Sequence, residues 1–150
     1  MTLKITLLTK ENSFSATHVI ESGLKEYFPN YDSKYNPDLL NLYDYYNKTG
    51  SIFLIGMIND APVATGGIIR EKDDIARIVR MSVKKEYRRQ GYASMILKAL
   101  EKEASRQGYK EIVLETTKTW QEAISFYEKN NYKITSSDSN DIHFKKSIAK

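Results

Sequence analysis

The chain has 150 residues, with 23 lysines and arginines against 19 aspartates and glutamates, a formal net charge of +4 and a pI near 9.1. That length suits one domain, residues 1–150, with a substantial core, and the absence of cysteine excludes disulfides, thiolate metal sites and a cysteine nucleophile. No apolar stretch reaches membrane-spanning length and the first residues lack the arrangement of a signal peptide, so a soluble, cytoplasmic protein is expected. The basic balance alone would admit a nucleic-acid partner. Neither zinc-ligand spacing nor an aromatic RNA-binding motif accompanies it, and no nucleic acid, membrane or metal partner is expected.

Leu3 to Leu8 alternates, with Leu3, Ile5 and Leu7 on one face, and reads as an edge strand. Ala16, Ile20, Gly23, Leu24 and Tyr27 then recur at helical spacing, giving an amphipathic helix that closes near Phe28-Pro29. Asn36-Pro37-Asp38 has the composition of a helix start: a capping asparagine, a proline suited to the first turn and an aspartate that complements the dipole. Ser51 to Ile58 and Pro62 to Ile69 are apolar runs separated by the turn Asn59-Asp60-Ala61, a hairpin whose first strand is buried on both faces. Gly66-Gly67 weakens the second strand and marks a bulge or a close approach by ligand. After the turn Lys72-Asp73-Asp74, the apolar run 75–83 reads as a central strand.

The stretch Arg88-Arg89-Gln90-Gly91-Tyr92-Ala93 follows that strand and leads into a helix. Ala93, Ile96, Leu97, Leu100 and Ala104 form its apolar stripe, and Gln107-Gly108 ends it. A loop opening a helix points partnerless backbone N–H groups at one spot, where the dipole adds positive character; that geometry binds phosphate. Gly91 permits close approach, Ala93 keeps it open, and Arg88 and Arg89 add charges able to pair with phosphate oxygens. Strand 111–117 lies beyond the helix, so a right-handed parallel crossover to strand 75–83 is expected. Thr119-x-x-Glu122 has the pattern of a capping box. It precedes a helix with the stripe Trp120, Ala123, Ile124 and Tyr127. Tyr132 to Thr135 and Ile142 to Ser147 finish as an antiparallel pair.

Arg88-Arg-Gln-Gly-Tyr-Ala93 resembles the Q/R-x-x-G-x-G/A pattern of the GNAT superfamily of acyl-CoA-dependent N-acyltransferases. Ala123-Ile-Ser-Phe-Tyr-Glu-Lys-Asn-Asn-Tyr132 is similar to a second segment of that family, AI-x-x-YEK-x-G-[FY]. The resemblance covers roughly residues 52–146. It implies an α/β fold with a mixed, mostly antiparallel sheet flanked by helices and a central splayed parallel strand pair. It also implies acetyl-CoA as acyl donor and an amine acceptor, and the compact single domain favours a small molecule over a protein as that acceptor. The main chain across Arg89, Gln90, Gly91, Tyr92, Ala93 and Ser94 would then hold the pyrophosphate. The strand segment Met81-Ser82-Val83 would pair with the pantetheine arm, and the Met81 amide would polarise the thioester carbonyl. Without a cysteine, direct attack in a ternary complex is the simplest route.

Tyr127 resembles the family tyrosine that protonates the leaving thiolate; the other reading is that it only completes an apolar stripe. Many family members carry a glutamate where this chain has Arg77. The proton-accepting role therefore passes to Glu115, in strand 111–117, or to water. Trp120 also departs from the family pattern, which often has asparagine there, and Asn131 replaces a glycine. The tyrosine-rich segment from Tyr27 to Tyr46 is either packing or the wall of an acceptor site. His18 and His143 have no metal-ligand or carboxylate spacing around them in sequence. Lys84, Lys85 and Lys129 suit either the adenosine 3′-phosphate or a solvated face. A protein-directed acetyltransferase, a non-catalytic acyl-CoA-binding module and a homodimer joined through sheet edges or the C-terminal strands are the alternatives and assembly that this reading leaves open.

Overall fold

The computed structural model describes residues 2–149. The apolar runs become strands β1 (Lys4–Leu7), β2 (Ile52–Ile58), β3 (Ala61–Lys72), β4 (Ile75–Val83), β5 (Glu111–Thr117), β6 (Lys133–Ser137) and β7 (Asp141–Ser147). They form one sheet in the order β1-β2-β3-β4-β5-β7-β6, antiparallel at every pairing except β4 with β5. The β2–β3 hairpin turns on Asn59 and Asp60, both at positive φ (50° and 65°), the conformation a two-residue hairpin requires. The last hairpin folds back so that β7, not β6, lies beside β5.

Four α-helices among the described residues cover this sheet: α1 (Lys10–Tyr27), α2 (Leu42–Tyr46), α3 (Tyr92–Arg106) and α4 (Gln121–Lys129). The stripe read from sequence is the buried face of α3, with Ile96, Leu97, Leu100 and Ala104 fully enclosed. With Ala76, Ile78, Ile112, Leu114, Tyr127 and Phe144 they make the larger core. Each large aliphatic side chain there contributes roughly 2 kcal/mol. On the opposite face, Ala16 and Ile20 of α1 pack with Leu39, Leu42, Tyr46, Phe53 and Ile55.

Two local expectations need correction. Asn36-Pro37 opens only a 3-10 turn, Pro37–Leu40, without a side-chain cap; the chain then restarts as α2 from Asn41. Asp38 does not serve a dipole, because its carboxylate is buried against Arg80. The capping box at Thr119 does not form either. Two tight turns, Trp120 N–H to Thr117 and Gln121 N–H to Thr119, delay the helix by one residue, so Trp120 takes the cap position without a side-chain bond. Glu122 turns outward to Arg89 instead (3.1 Å).

Candidate active site

The sheet is incomplete at its centre. β4 and β5 share only three register pairs, Ile75–Glu111, Ala76–Ile112 and Arg77–Val113. Beyond them the strands separate, leaving the facing backbone edges of residues 78–83 and 114–117 without each other. Part of the cause is a bulge. Val79 pairs with Gly67 and Ser82 with Thr65, so Arg80 and Met81 together stand opposite the single residue Gly66. Arg80 adopts φ 54°, a left-handed conformation rare for a side chain of its kind. Gly66-Gly67 therefore marks a bulge, and the close approach is by protein. A Cβ at Gly66 would come within 2.5 Å of Met81 Sδ and 2.7 Å of Ile96, and one at Gly67 within 2.6 Å of Phe53.

The direction of the backbone past the bulge follows from one bond. Lys84 N–H donates to the Val63 carbonyl at 2.9 Å, which turns Lys84, and by alternation Ser82, toward β3. Val83 then faces the open side. Its carbonyl accepts from Arg88 Nε at 2.9 Å, while its N–H stays on the gap side. Ser82 sends its side chain to α1, where its hydroxyl lies 3.5 Å from the Val19 carbonyl.

The loop after β4 delivers the donors the motif suggested. Arg89 and Gly91 both have positive φ (63° and 85°), and Gly91 caps α3 with no side-chain bond. Met95 N–H, bonded to the Gly91 carbonyl at 3.1 Å, closes the first turn. The N–H groups of Tyr92, Ala93 and Ser94 precede it at the positive end of the helix. A Cβ built on Gly91 meets nothing within 4 Å, so the space beside this turn is open. Gln90 is exposed, whereas the Tyr92 ring is core, leaving only its main chain for the loop. Ser94 Oγ donates to Asn130 Oδ1 at 3.3 Å, tying the first turn of α3 to the end of α4.

The two arginines are engaged rather than free. Arg88 forms a bidentate pair with Glu26 of α1 (2.6 and 2.9 Å), and its guanidinium holds the Glu26 carboxyl below the usual range. Arg89 meets Glu122 of α4 where both are largely exposed, a contact of little energetic weight.

Tyr127 lies on α4 with its ring buried among Phe126, Tyr132 and Phe144. Burial pushes its phenol above the ordinary value. The hydroxyl makes no hydrogen bond among the described residues, where no fully enclosed side-chain polar atom lacks a partner, so its oxygen keeps at least slight contact with solvent. Glu115 is on the opposite face of the sheet. Its Oε2 is paired with Arg77, which also binds Glu71 at 2.5 Å, and the side chain is 39 % exposed. The three strands β3, β4 and β5 thus carry a carboxylate–guanidinium–carboxylate row below the gap.

The sequence from residue 17 to 132 matches the family model described as Acetyltransferase (GNAT) family. The chain belongs to this family. Comparison with curated proteins by sequence returns no match. Among solved structures, a GNAT-family acetyltransferase from Staphylococcus aureus Mu50 superposes with a TM-score of 0.89 at 21 % identity, covering 98 % of this chain and 99 % of that one. The PaiA N-acetyltransferase from Thermoplasma acidophilum, in complex with coenzyme A, gives 0.85 at 20 % identity (98 % and 99 % covered). An aminoglycoside 6′-N-acetyltransferase complexed with coenzyme A gives 0.79 at 18 % identity, with 98 % of each chain covered. The mixed, mostly antiparallel sheet with its splayed parallel pair is the fold these proteins share.

Several residues of this GNAT chain escaped the sequence reading. Arg80 sends its guanidinium into a bidentate bond with Asp38 (2.8 Å twice) and a third to Asn36 Oδ1 (2.8 Å), while Tyr46 O–H donates to Asp38 at 2.6 Å. Burial disfavours the Asp38 charge, but the bonds from Arg80 and Tyr46 outweigh it and hold the carboxyl below its usual value. An arginine inside an apolar strand was the available signal, since a half-buried guanidinium needs a carboxylate. Trp120 does not complete the α4 stripe. It packs in tilted contact with Tyr27 (centroids 4.5 Å) and Phe28 (6.0 Å), joining the end of α1 to the β5–α4 turn. Tyr31 O–H donates to Glu21 at 2.9 Å, and Tyr46 is core, so the tyrosine-rich segment is divided between packing and surface. His143 has a carboxylate partner after all, with Nε2 3.0 Å from Asp138 Oδ2. No group of three or more metal-ligating side chains occurs among the described residues, and no helix there is long and apolar enough to cross a membrane.

Proposed function

We propose that this chain is an acetyl-CoA-dependent N-acetyltransferase that acetylates the primary amine of a small molecule by direct attack within a ternary complex. The observation that carries it is the continuity of two features. A strand edge opened by the bulge at Arg80–Met81 leads directly into an uncapped helix start with open space over Gly91. An elongated ligand with a diphosphate at one end and a hydrogen-bonding arm at the other fits both. The coenzyme A bound by the PaiA and aminoglycoside enzymes supports that assignment, and the latter supports a small-molecule acceptor.

Acetyl-CoA supplies an acetyl group activated as a thioester: the amine nitrogen forms a bond to the acetyl carbon, the carbon–sulfur bond breaks, the nitrogen sheds a proton and the sulfur gains one. The main chain of residues 89–94 anchors the diphosphate, and Met81 and Val83 hold the arm in strand fashion. The Met81 N–H stabilises the negative charge that develops on the carbonyl oxygen, an effect commonly worth ~3 kcal/mol. Tyr127 donates its hydroxyl proton to the sulfur and recovers one from solvent. With an ordinary phenol near 10 and a thiol near 8.5, the transfer would be uphill by about 2 kcal/mol. Burial of Tyr127 adds to that cost, but burial raises the proton affinity of a thiolate in the same gap as well. Glu115 accepts the amine proton, directly or through water, at its Oε1, since Oε2 is held by Arg77.

A non-catalytic acyl-CoA-binding module is the second reading, favoured by Arg77 and the two carboxylates that engage it. Thiol release from acetyl-CoA across a panel of small amines separates the two. Turnover with intersecting double-reciprocal lines is expected. Tight coenzyme A binding without thiol release from any amine would establish the module, and acetylation of proteins alone, seen by mass spectrometry, would move the acceptor to a polypeptide.

A further inference from the structure

Thr65 is a threonine in the middle of β3, only 1 % exposed, at a position where an aliphatic side chain would satisfy the core equally well. Its hydroxyl is used for one thing: it donates to the carbonyl oxygen of Arg80 at 2.7 Å. That carbonyl belongs to the same rigid planar peptide as the N–H of Met81. In a trans peptide the two groups point in opposite directions, so whatever grips the Arg80 oxygen also aims the Met81 N–H. Since neither Arg80 nor Met81 has a register partner across the bulge, the ladder itself does not orient this peptide.

We infer that Thr65 is a positioning residue for the reaction, and that its hydroxyl, with Arg80 clamped from the other end by Asp38 and Asn36, fixes the direction in which the Met81 amide meets the thioester oxygen. The inference rests on the acetyl-CoA reading given above. The two grips are independent in origin: Thr65 comes from the neighbouring strand, whereas Asp38 and Asn36 come from the segment before α2. Together they hold Arg80 at its left-handed φ of 54°, a conformation that persists only where the surroundings over-determine it. A donor into the Arg80 oxygen also polarises the amide and strengthens its N–H as a donor at the far side. The hydroxyl therefore acts through the peptide without touching the substrate.

Thr65→Val removes the hydroxyl at nearly constant volume, and Thr65→Ser restores it. With acetyl-CoA and an amine the wild type accepts, kcat of the valine variant should fall on the order of tenfold to a hundredfold. KM for acetyl-CoA and the calorimetric affinity for coenzyme A should stay within about twofold, because the diphosphate anchor is untouched. The serine variant should recover most of the rate. In 1H–15N spectra the Met81 amide should move on addition of acetyl-CoA in the wild type and the serine variant, and move less in the valine variant. Leu3→Ala, in the core beside the outermost strand β1 and away from the Arg80 clamp, serves as a control for lost stability and should not lower kcat at a temperature well below its unfolding. Wild-type turnover by Thr65→Val, a serine variant as slow as the valine one, or an equal rate loss in Leu3→Ala would each overturn the inference. If the wild type releases no thiol with any amine, the functional reading fails first. The Met81 amide response then decides the inference alone, and an amide that ignores acetyl-CoA, or responds equally in the valine variant, refutes it.

Discussion

Replacing Tyr127 by phenylalanine separates catalysis from folding unusually cleanly in this chain. The ring supplies the packing against Phe126, Tyr132 and Phe144, and phenylalanine keeps it. The hydroxyl has no hydrogen-bond partner among the described residues, so its removal strands no buried group. Stability should therefore change by less than about 0.5 kcal/mol, or under about 2 °C in Tm for a chain of this size. Loss of a general acid costs far more in rate: a drop of about 100-fold in kcat corresponds to ~2.7 kcal/mol at the transition state. The assay is release of free thiol from acetyl-CoA, read with a thiol reagent. A chain without cysteine gives no background of its own. Coenzyme A affinity by calorimetry and thermal unfolding by circular dichroism complete the set. Unchanged kcat at unchanged affinity would remove Tyr127 from the mechanism, and a Tm lowered by many degrees would refute the account of its hydroxyl.

Three further outcomes follow from the same geometry. Gly91→Ala should cost about 1 kcal/mol of stability, from φ 85° rather than from any clash, and should weaken coenzyme A binding beyond that, because the new methyl projects into the space over the helix start; titration calorimetry against Tm reads the two separately. Asp38→Asn should destabilise by about 3 kcal/mol at neutral pH in urea unfolding, since it leaves Arg80 half-buried without its counter-charge. The Asp38 carboxyl is depressed on folding, so its contribution is complete above the unfolded value near ~3.9 and is lost as pH falls through the lower folded value; wild type should therefore lose stability on acidification more steeply than the variant. Glu115→Gln keeps an oxygen for Arg77 while removing the proton acceptor, and should lower kcat by about tenfold or more with little change in Tm; a kcat equal to wild type would leave water as the base.

The parts of this fold written in local patterns were open to reading from the chain alone. The limits of β4 and β5 follow from apolar runs between turn residues, and the buried face of α3 from spacing at Ile96, Leu97, Leu100 and Ala104. The start of α3 after the loop from Arg88 to Ala93 was legible because glycine is a common cap residue ahead of an apolar helical stripe. What escaped depends on partners far apart in sequence. Asp38 and Arg80 are 42 residues apart, and Thr65 meets Arg80 across a bulge that no periodicity announces. The pairing of Arg88 with Glu26, 62 residues earlier, is likewise a contact that no local pattern carries. The capping box at Thr119 failed for a nearer reason: two successive tight turns moved the helix start past it.

A sheet that stops pairing after three residues is a fold with a vacancy in its wiring. The facing edges beyond Arg77 and Val113 trade protein partners for solvent, and backbone that lacks a paired neighbour opens more readily than a complete ladder. Whatever occupies the seam then acts as a missing strand, and its binding energy is added to that of folding. The lifetime of such a chain under heat or protease would accordingly track the supply of its thioester donor.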